Sequence, residues 1–127
     1  MHENEIAKTI VDCAYKVHRT LGPGLLEAVY QAALVYELTK RGLNVSVERG
    51  IPAEYEEVRL DCGFRADVIV ENKVIIEIKS VEALAPVHGK ILLTYLRLAD
   101  MRLGLLINFN VDLIKDGIRR VVNNLAE

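Results

Sequence analysis

Residues 60–70, LDCGFRADVIV, and residues 74–79, VIIEIK, are two apolar, largely β-branched runs joined by the short polar link Glu71-Asn72-Lys73. This is the pattern of a hairpin, and its apolar density calls for a sheet covered on at least one face. Side chains alternate along a strand, so residues two apart project together, about 7 Å from one another. Glu77 and Lys79 therefore share one face, and Ile76 and Ile78 the other. The flanking residues predict burial, where an acid and an amine are costly unless paired or bound to an ion. Asp67, between Ala66 and Val68, raises the same question on the neighbouring strand, and across the hairpin it can approach Glu77.

Upstream of this hairpin the periodicity is helical. Ile6, Ile10, Val11, Ala14, Val17, His18 and Leu21 recur at three- and four-residue intervals, predicting an amphipathic helix over 4–20. Leu21-Gly22-Pro23-Gly24 interrupts it, and a second helix is expected from about Leu25 to Arg41, closed by Gly42 as a left-handed cap. Val45 and Val47 then alternate with polar neighbours, and Gly50 and Pro52 mark a bend or an edge. Glu54 to Arg59 fits either an exposed strand or a hairpin. Downstream, Pro86 suits the first turn of a helix running to Met101. Leu103 to Phe109, LGLLINF, reads as a buried strand, and the tail from Asp116 to Leu125 as an edge strand or a helix. No repeat or linker divides the chain, so residues 1–127 are expected to form one domain. The fold class is α/β or α+β, with a central mixed sheet flanked by helices.

Composition narrows the partners. Hydrophobic residues make up 51% of the 127 residues and charged residues 27%, which suits a packed core rather than disorder. No apolar run approaches the roughly 20 residues that span a bilayer. The start, MHENEIAKTI, lacks the basic and apolar regions of a secretory signal, so a cytoplasmic location and no membrane contact are expected. The net charge of −2 argues against non-specific coating of a polyanion, which usually needs a basic face. Cys13 and Cys62 have no ligand-like spacing and read as small buried hydrophobes. No G-x-G-x-x-G or P-loop is present.

Asp67 and Glu77 together offer carboxylate oxygens to a hard divalent cation such as Mg²⁺, with the backbone carbonyl of Ile78 as a further ligand. Such an ion acidifies water and stabilises charge on a phosphoryl oxygen. Lys79 could orient or deprotonate that water, or offset the charge of the phosphoryl group. An ordinary cross-strand Asp–Lys or Glu–Lys pair uses the same residues, and the triplet does not by itself separate the two readings.

A second motif does. Gly24-Leu25-Leu26-Glu27-Ala28-Val29-Tyr30 reads G-x-x-E-x-x-Y. With Val17-His18-Arg19-Thr20-Leu21-Gly22-Pro23 before it, and Asp67, Glu77-Ile78-Lys79, Tyr95-Leu96 and Gly104 to Phe109 after it, the chain resembles the GxxExxY family of the PD-(D/E)XK nuclease superfamily over nearly its whole length. The resemblance implies a restriction-endonuclease-like core and a nuclease dependent on Mg²⁺ or Mn²⁺. Asp67 and Glu77 would bind the metal, with the Ile78 carbonyl beside them, and Lys79 would be the catalytic lysine. Glu27 would be a helical glutamate facing the site, although as a first-turn acid it also complements the helix dipole. Tyr30 reads as packing before chemistry, and His18 and His88 as polar helix residues rather than ligands. The expected partner is nucleic acid, DNA ahead of RNA. A homodimer would enlarge the substrate surface of so small a domain. One departure stands out: in V-H-x-K-Q-x-x-x-Y-L, the pattern expected after the lysine strand, Val87, His88, Lys90, Tyr95 and Leu96 match, but Ile91 occupies the glutamine position. An isoleucine cannot hydrogen-bond a phosphate or a water, so the resemblance also admits a weakened site that only binds nucleic acid or a protein.

Overall fold

The computed structural model describes residues 1–126, Cys62 by its backbone alone. Two helices come first, α1 (Glu3–Leu21) and α2 (Glu27–Lys40). Strands β1 (Val45–Tyr55), β2 (Val58–Val70) and β3 (Val74–Lys79) follow, then α3 (Pro86–Ala99), β4 (Leu103–Asn108), a short 3₁₀ turn (Ile114–Gly117) and β5 (Ile118–Val122). The five strands form one sheet in the order β1-β2-β3-β4-β5. All neighbours are antiparallel except β3 and β4, which run parallel. A parallel pair cannot be closed by a tight turn, and here the connection is α3.

The apolar pattern sorts the helices between the two faces. Val68, Val70, Ile76, Ile78, Leu105 and Ile107 pack with Ile6, Ile10, Ala14, Leu34 and Leu38 of α1 and α2. Ile69, Ile75 and Leu106 pack with Leu92 and Leu96 of α3. Fully burying a leucine or isoleucine contributes roughly 1.5–3 kcal/mol, so this alternation on β3 is a strong constraint on register. Gly104 lets α3 sit close: a Cβ there would come within 2.9 Å of the Leu92 side chain.

The helical expectations hold to within two residues at each end. Gly42, at φ +82°, closes α2 in a Schellman arrangement. Its N–H donates to the Thr39 carbonyl at 2.9 Å, and the Leu43 N–H to Leu38 at 3.3 Å. Residues 54–59 form a hairpin, with Glu56 and Glu57 at φ 49° and 72° in the turn, the primed geometry that matches strand twist. The ambiguous tail is a strand: Ile118–Val122 pairs antiparallel with β4. Cys13 is buried as expected, while the side chain of Cys62 lies outside the described residues. No helix among the described residues is long and apolar enough to cross a membrane.

The G-x-x-E-x-x-Y segment is a clasp. Tyr30 is fully buried and stacks on Phe109 with ring centroids 4.5 Å apart. Its hydroxyl donates to the Gly22 carbonyl at 2.6 Å and accepts from the Leu25 N–H at 3.0 Å, tying the loop to the helix it precedes. Tyr30→Phe strands both backbone groups, and a loss of about 1–2 kcal/mol is expected in urea unfolding. An unchanged midpoint would show that the clasp adds nothing. His18 is likewise structural, its Nε2 bonded to the Val111 carbonyl at 2.8 Å.

Candidate active site

Asp67 and Glu77 lie where β2 and β3 stop pairing through their backbones. The ladder runs Val70–Val74, Ile69–Ile75, Val68–Ile76 and ends there. Beyond it the carboxylates take over. Asp67 Oδ2 accepts from the Ile78 N–H at 2.9 Å, and Glu77 Oε1 accepts a longer bond from the Asp67 N–H at 3.4 Å. Each acid thus bonds the main chain of the opposite strand, which brings the two carboxyl groups together.

Their environment is hostile to charge. Glu77 is only 8% exposed. Burial, and then the neighbouring Asp67 carboxylate, push its pKa from 4.5 up to about 8. Two carboxyls side by side in a poorly solvated niche favour either a shared proton or a cation.

Glu77 and Lys79 face a cavity of about 80 Å³ whose other walls are His88, Ile91, Tyr95 and Leu106. It opens on the α3 side, near the carboxyl end of the parallel β3–β4 pair, the place where sheets of this kind commonly take ligands. Tyr95 stacks on Phe64, ring centroids 3.9 Å apart. Burial, then the Glu77 and Asp67 carboxylates, raise its hydroxyl pKa, so it is a neutral donor at physiological pH. His88 caps α3, its Nδ1 accepting from the Ala85 N–H at 3.0 Å. Ile91 also lines the cavity, so the side chain at the expected glutamine position does face the chemistry. A roomier hollow, about 430 Å³ between Tyr15, Arg19 and Leu113, lies on the α1 side, away from the carboxyl pair.

Asp67, Glu77 and Lys79 are therefore neighbours, and the Ile78 backbone sits between them. Glu27 is exposed in the first turn of α2. Among the described residues no three His, Cys, Asp or Glu side chains gather as a metal site, so in this arrangement Glu27 does not converge with the carboxyl pair. The start of α2 is nevertheless tethered to the end of β3, through Ser80 Oγ donating to the Leu25 carbonyl at 2.7 Å.

One residue that sequence reading passes over holds the segment after Lys79. Asn108 is 1% exposed and stands opposite Lys79 in the β3–β4 register. Its Oδ1 accepts from the Val81 N–H at 3.1 Å and the Asn110 N–H at 3.2 Å, and its Nδ2 donates to the Val81 carbonyl at 2.9 Å. The only signal in the sequence is an amide ending an apolar strand. Asn108→Ala is expected to cost about 2–3 kcal/mol in chemical denaturation, because buried backbone groups lose their partners. A cost below about 1 kcal/mol would show that water replaces the amide.

A sequence model describing the PD-(D/E)XK nuclease superfamily matches residues 4–121. The chain belongs to that superfamily. The solved structure of the protein SSO0001 superposes with a TM-score of 0.58 at 23% identity, covering 78% of this chain and 50% of that one. The present chain therefore spans about half the length of that protein, and the likeness supports the fold: an α+β, restriction-endonuclease-like PD-(D/E)XK core. No curated protein matches the chain. The carboxyl pair and Lys79 lie within the stretch that the superfamily model matches.

Proposed function

We propose that this PD-(D/E)XK domain is a nuclease of the GxxExxY group that hydrolyses phosphodiester bonds, DNA ahead of RNA, with Mg²⁺ or Mn²⁺ at Asp67 and Glu77. The observation that carries the reading is the carboxyl pair: Asp67 and Glu77 bonded across β2 and β3, with the nearly buried Glu77 sharing a cavity with Lys79. The donor set fits a hard cation. Both side chains offer oxygen, the Ile78 carbonyl is a candidate third donor, and the paucity of protein ligands suits an ion that keeps several waters. Such an ion supplies Lewis-acid activation of water and charge neutralisation at a phosphoryl oxygen.

The chain's own residues then have distinct tasks. Asp67, fixed by the Ile78 N–H, is an oriented ligand. Glu77 would hold the ion as a carboxylate, its proton released to solvent. The Lys79 amine either accepts the proton of the attacking water or donates hydrogen bonds to the charge that grows on the phosphoryl oxygens. Tyr95 offers a neutral hydroxyl to the same cavity. Glu27 would join the water or metal shell on substrate binding, reached through the tether between Ser80 and α2.

Ile91 favours a second reading. Its apolar side chain in the cavity removes a polar contact to phosphate or water, as expected of a nuclease fold that binds without turnover. Both readings meet one experiment: single- and double-stranded DNA and RNA incubated with Mg²⁺, Mn²⁺ or chelator, using wild type and Asp67→Asn. Metal-dependent cleavage lost in the variant supports the nuclease. Metal and nucleic-acid binding without cleavage supports the second reading, and absence of divalent-ion binding by calorimetry removes both as metal sites.

A further inference from the structure

The β1–β2 hairpin outruns the sheet that supports it. β2 pairs with β3 only through Val68–Val70, and among the described residues Ile51 and Phe64 are the last of the hairpin packed on the α3-side core. Beyond them the ribbon bends. The register shifts between Ile51 and Ala53, and Gly63 crosses so close to β1 that a Cβ would lie 2.6 Å from the Ile51 carbonyl oxygen. Every residue from 54 to 61 is exposed, including Tyr55 at 66%, Val58 at 56% and Leu60 at 49%. A lone two-stranded ribbon is marginally stable in water, and apolar side chains at its tip are costly unless something covers them. The tip is also acidic: Glu54, Glu56, Glu57 and Asp61 stand against Arg59 alone, and Arg59 already pairs with Asp61 at 3.1 Å. Such a tip repels a phosphate backbone and suits a basic protein surface.

A surface of that kind is present on the same molecule. α3 contains no Asp or Glu. Its outer side exposes Val87, Ile91 and Leu98, spaced as one helical stripe, alongside exposed Lys90 and Arg97. The stacking of Phe64 on Tyr95 sets the root of the hairpin against α3, so the acidic tip and the basic stripe belong to elements that pack on one another. The tip's exposure shows that it does not fold back onto its own helix. Two complementary patches on one chain are what a two-fold, self-complementary interface requires.

We propose that the hairpin tip of one copy docks, through Tyr55, Val58 and Leu60 within an acidic rim, on the Val87–Ile91–Leu98 stripe of α3 in a second copy, and reciprocally. Ile91 belongs both to this stripe and to the cavity wall, so the interface reaches the rim of that cavity. The interface does not depend on the nuclease reading, since it rests on exposed residues outside Asp67, Glu77 and Lys79.

Charge swapping tests it on the full chain by sedimentation equilibrium at micromolar concentration and low salt. Wild type should be dimeric and weaken at least tenfold in high salt. Glu54→Lys with Glu57→Lys gives a copy whose tip and stripe are both basic. Lys90→Glu with Arg97→Glu gives a copy in which both are acidic. Each double variant alone should be monomeric, and an equimolar mixture should form heterodimers, because both contacts are then of opposite sign. All four positions are exposed, and circular dichroism confirms the fold. A monomeric wild type, a salt-insensitive dimer, a dimer that survives both double variants, or monomeric variants that fail to pair on mixing would each overturn the proposal.

Discussion

Lys79→Ala is expected to lower metal-dependent cleavage by about 10²–10⁴-fold, the usual range for removing a positioned proton-transfer or charge-stabilising group. The fold should be almost untouched. The Lys79 side chain is half-buried at the end of β3, and among the described residues its ammonium makes no ion pair within 4.0 Å. Its removal costs little packing and strands no partner. Divalent-ion binding measured by calorimetry should persist in Lys79→Ala and fail in Asp67→Asn, since only the second loses a ligand. The loss should fall on kcat rather than KM, as for an interaction strongest in the transition state. Lys79→Arg separates the amine's two tasks. A guanidinium offsets charge but cannot take a proton near neutral pH, so rescue by arginine points to electrostatics and failure to proton transfer. Full cleavage in Lys79→Ala would remove the lysine from the mechanism.

The part of this arrangement legible in the sequence is the part governed by short-range periodicity. VIIEIK has a clean period of two with one acid and one amine in phase, so the shared face of Glu77 and Lys79 follows from strand geometry, and the cavity walls agree with it. The amphipathic helices and the Gly42 cap are local patterns too. What escaped depends on contacts far apart in the chain. Asn108 matters because Val81, 27 residues away, comes within hydrogen-bond reach, and no local pattern announces that. Residues 54–59 stay ambiguous in sequence because a ribbon that leaves its sheet loses the apolar alternation that marks a strand. The bulge at Gly63 does carry a signal, a glycine inside a β-rich run. The tail has two readings because Ile118-Arg119-Arg120-Val121-Val122 fits an edge strand as well as a frayed helix. Only its pairing with β4 decides. The place of Glu27 is a tertiary matter of the same kind: the motif fixes its helix turn, and the packing of α2 sets where the carboxylate sits.

Glu77 has a consequence for stability that is measurable without knowing the substrate. Its folded pKa of about 8 exceeds the ordinary 4.5. Below about pH 4.5 the group is protonated in both folded and unfolded chains and has no effect on their balance. As pH rises through the window between 4.5 and 8, the unfolded chain ionises Glu77 while the folded one keeps its proton, so folding loses stability. Above about 8 the penalty is complete and constant. At about 1.4 kcal/mol per pH unit across that window, the loss is on the order of 4 kcal/mol by pH 8. Glu77→Gln keeps the shape and removes the titration. In chelator it should therefore match wild type near pH 4.5 and outlast it at pH 8.5, by about 10 °C or more in melting temperature for a domain of this size. Asp67→Asn should flatten the wild-type slope only in part, because burial is the larger cause and the Asp67 carboxylate the second. Adding Mg²⁺ at pH 8.5 should then stabilise wild type and leave Glu77→Gln unmoved, since a ligand that binds only the folded state raises its stability by mass action. If wild type and Glu77→Gln melt in parallel from pH 4.5 to 8.5, Glu77 is solvated and ionised like any surface acid. The carboxyl pair would then lose the electrostatic tension that makes it a cation site.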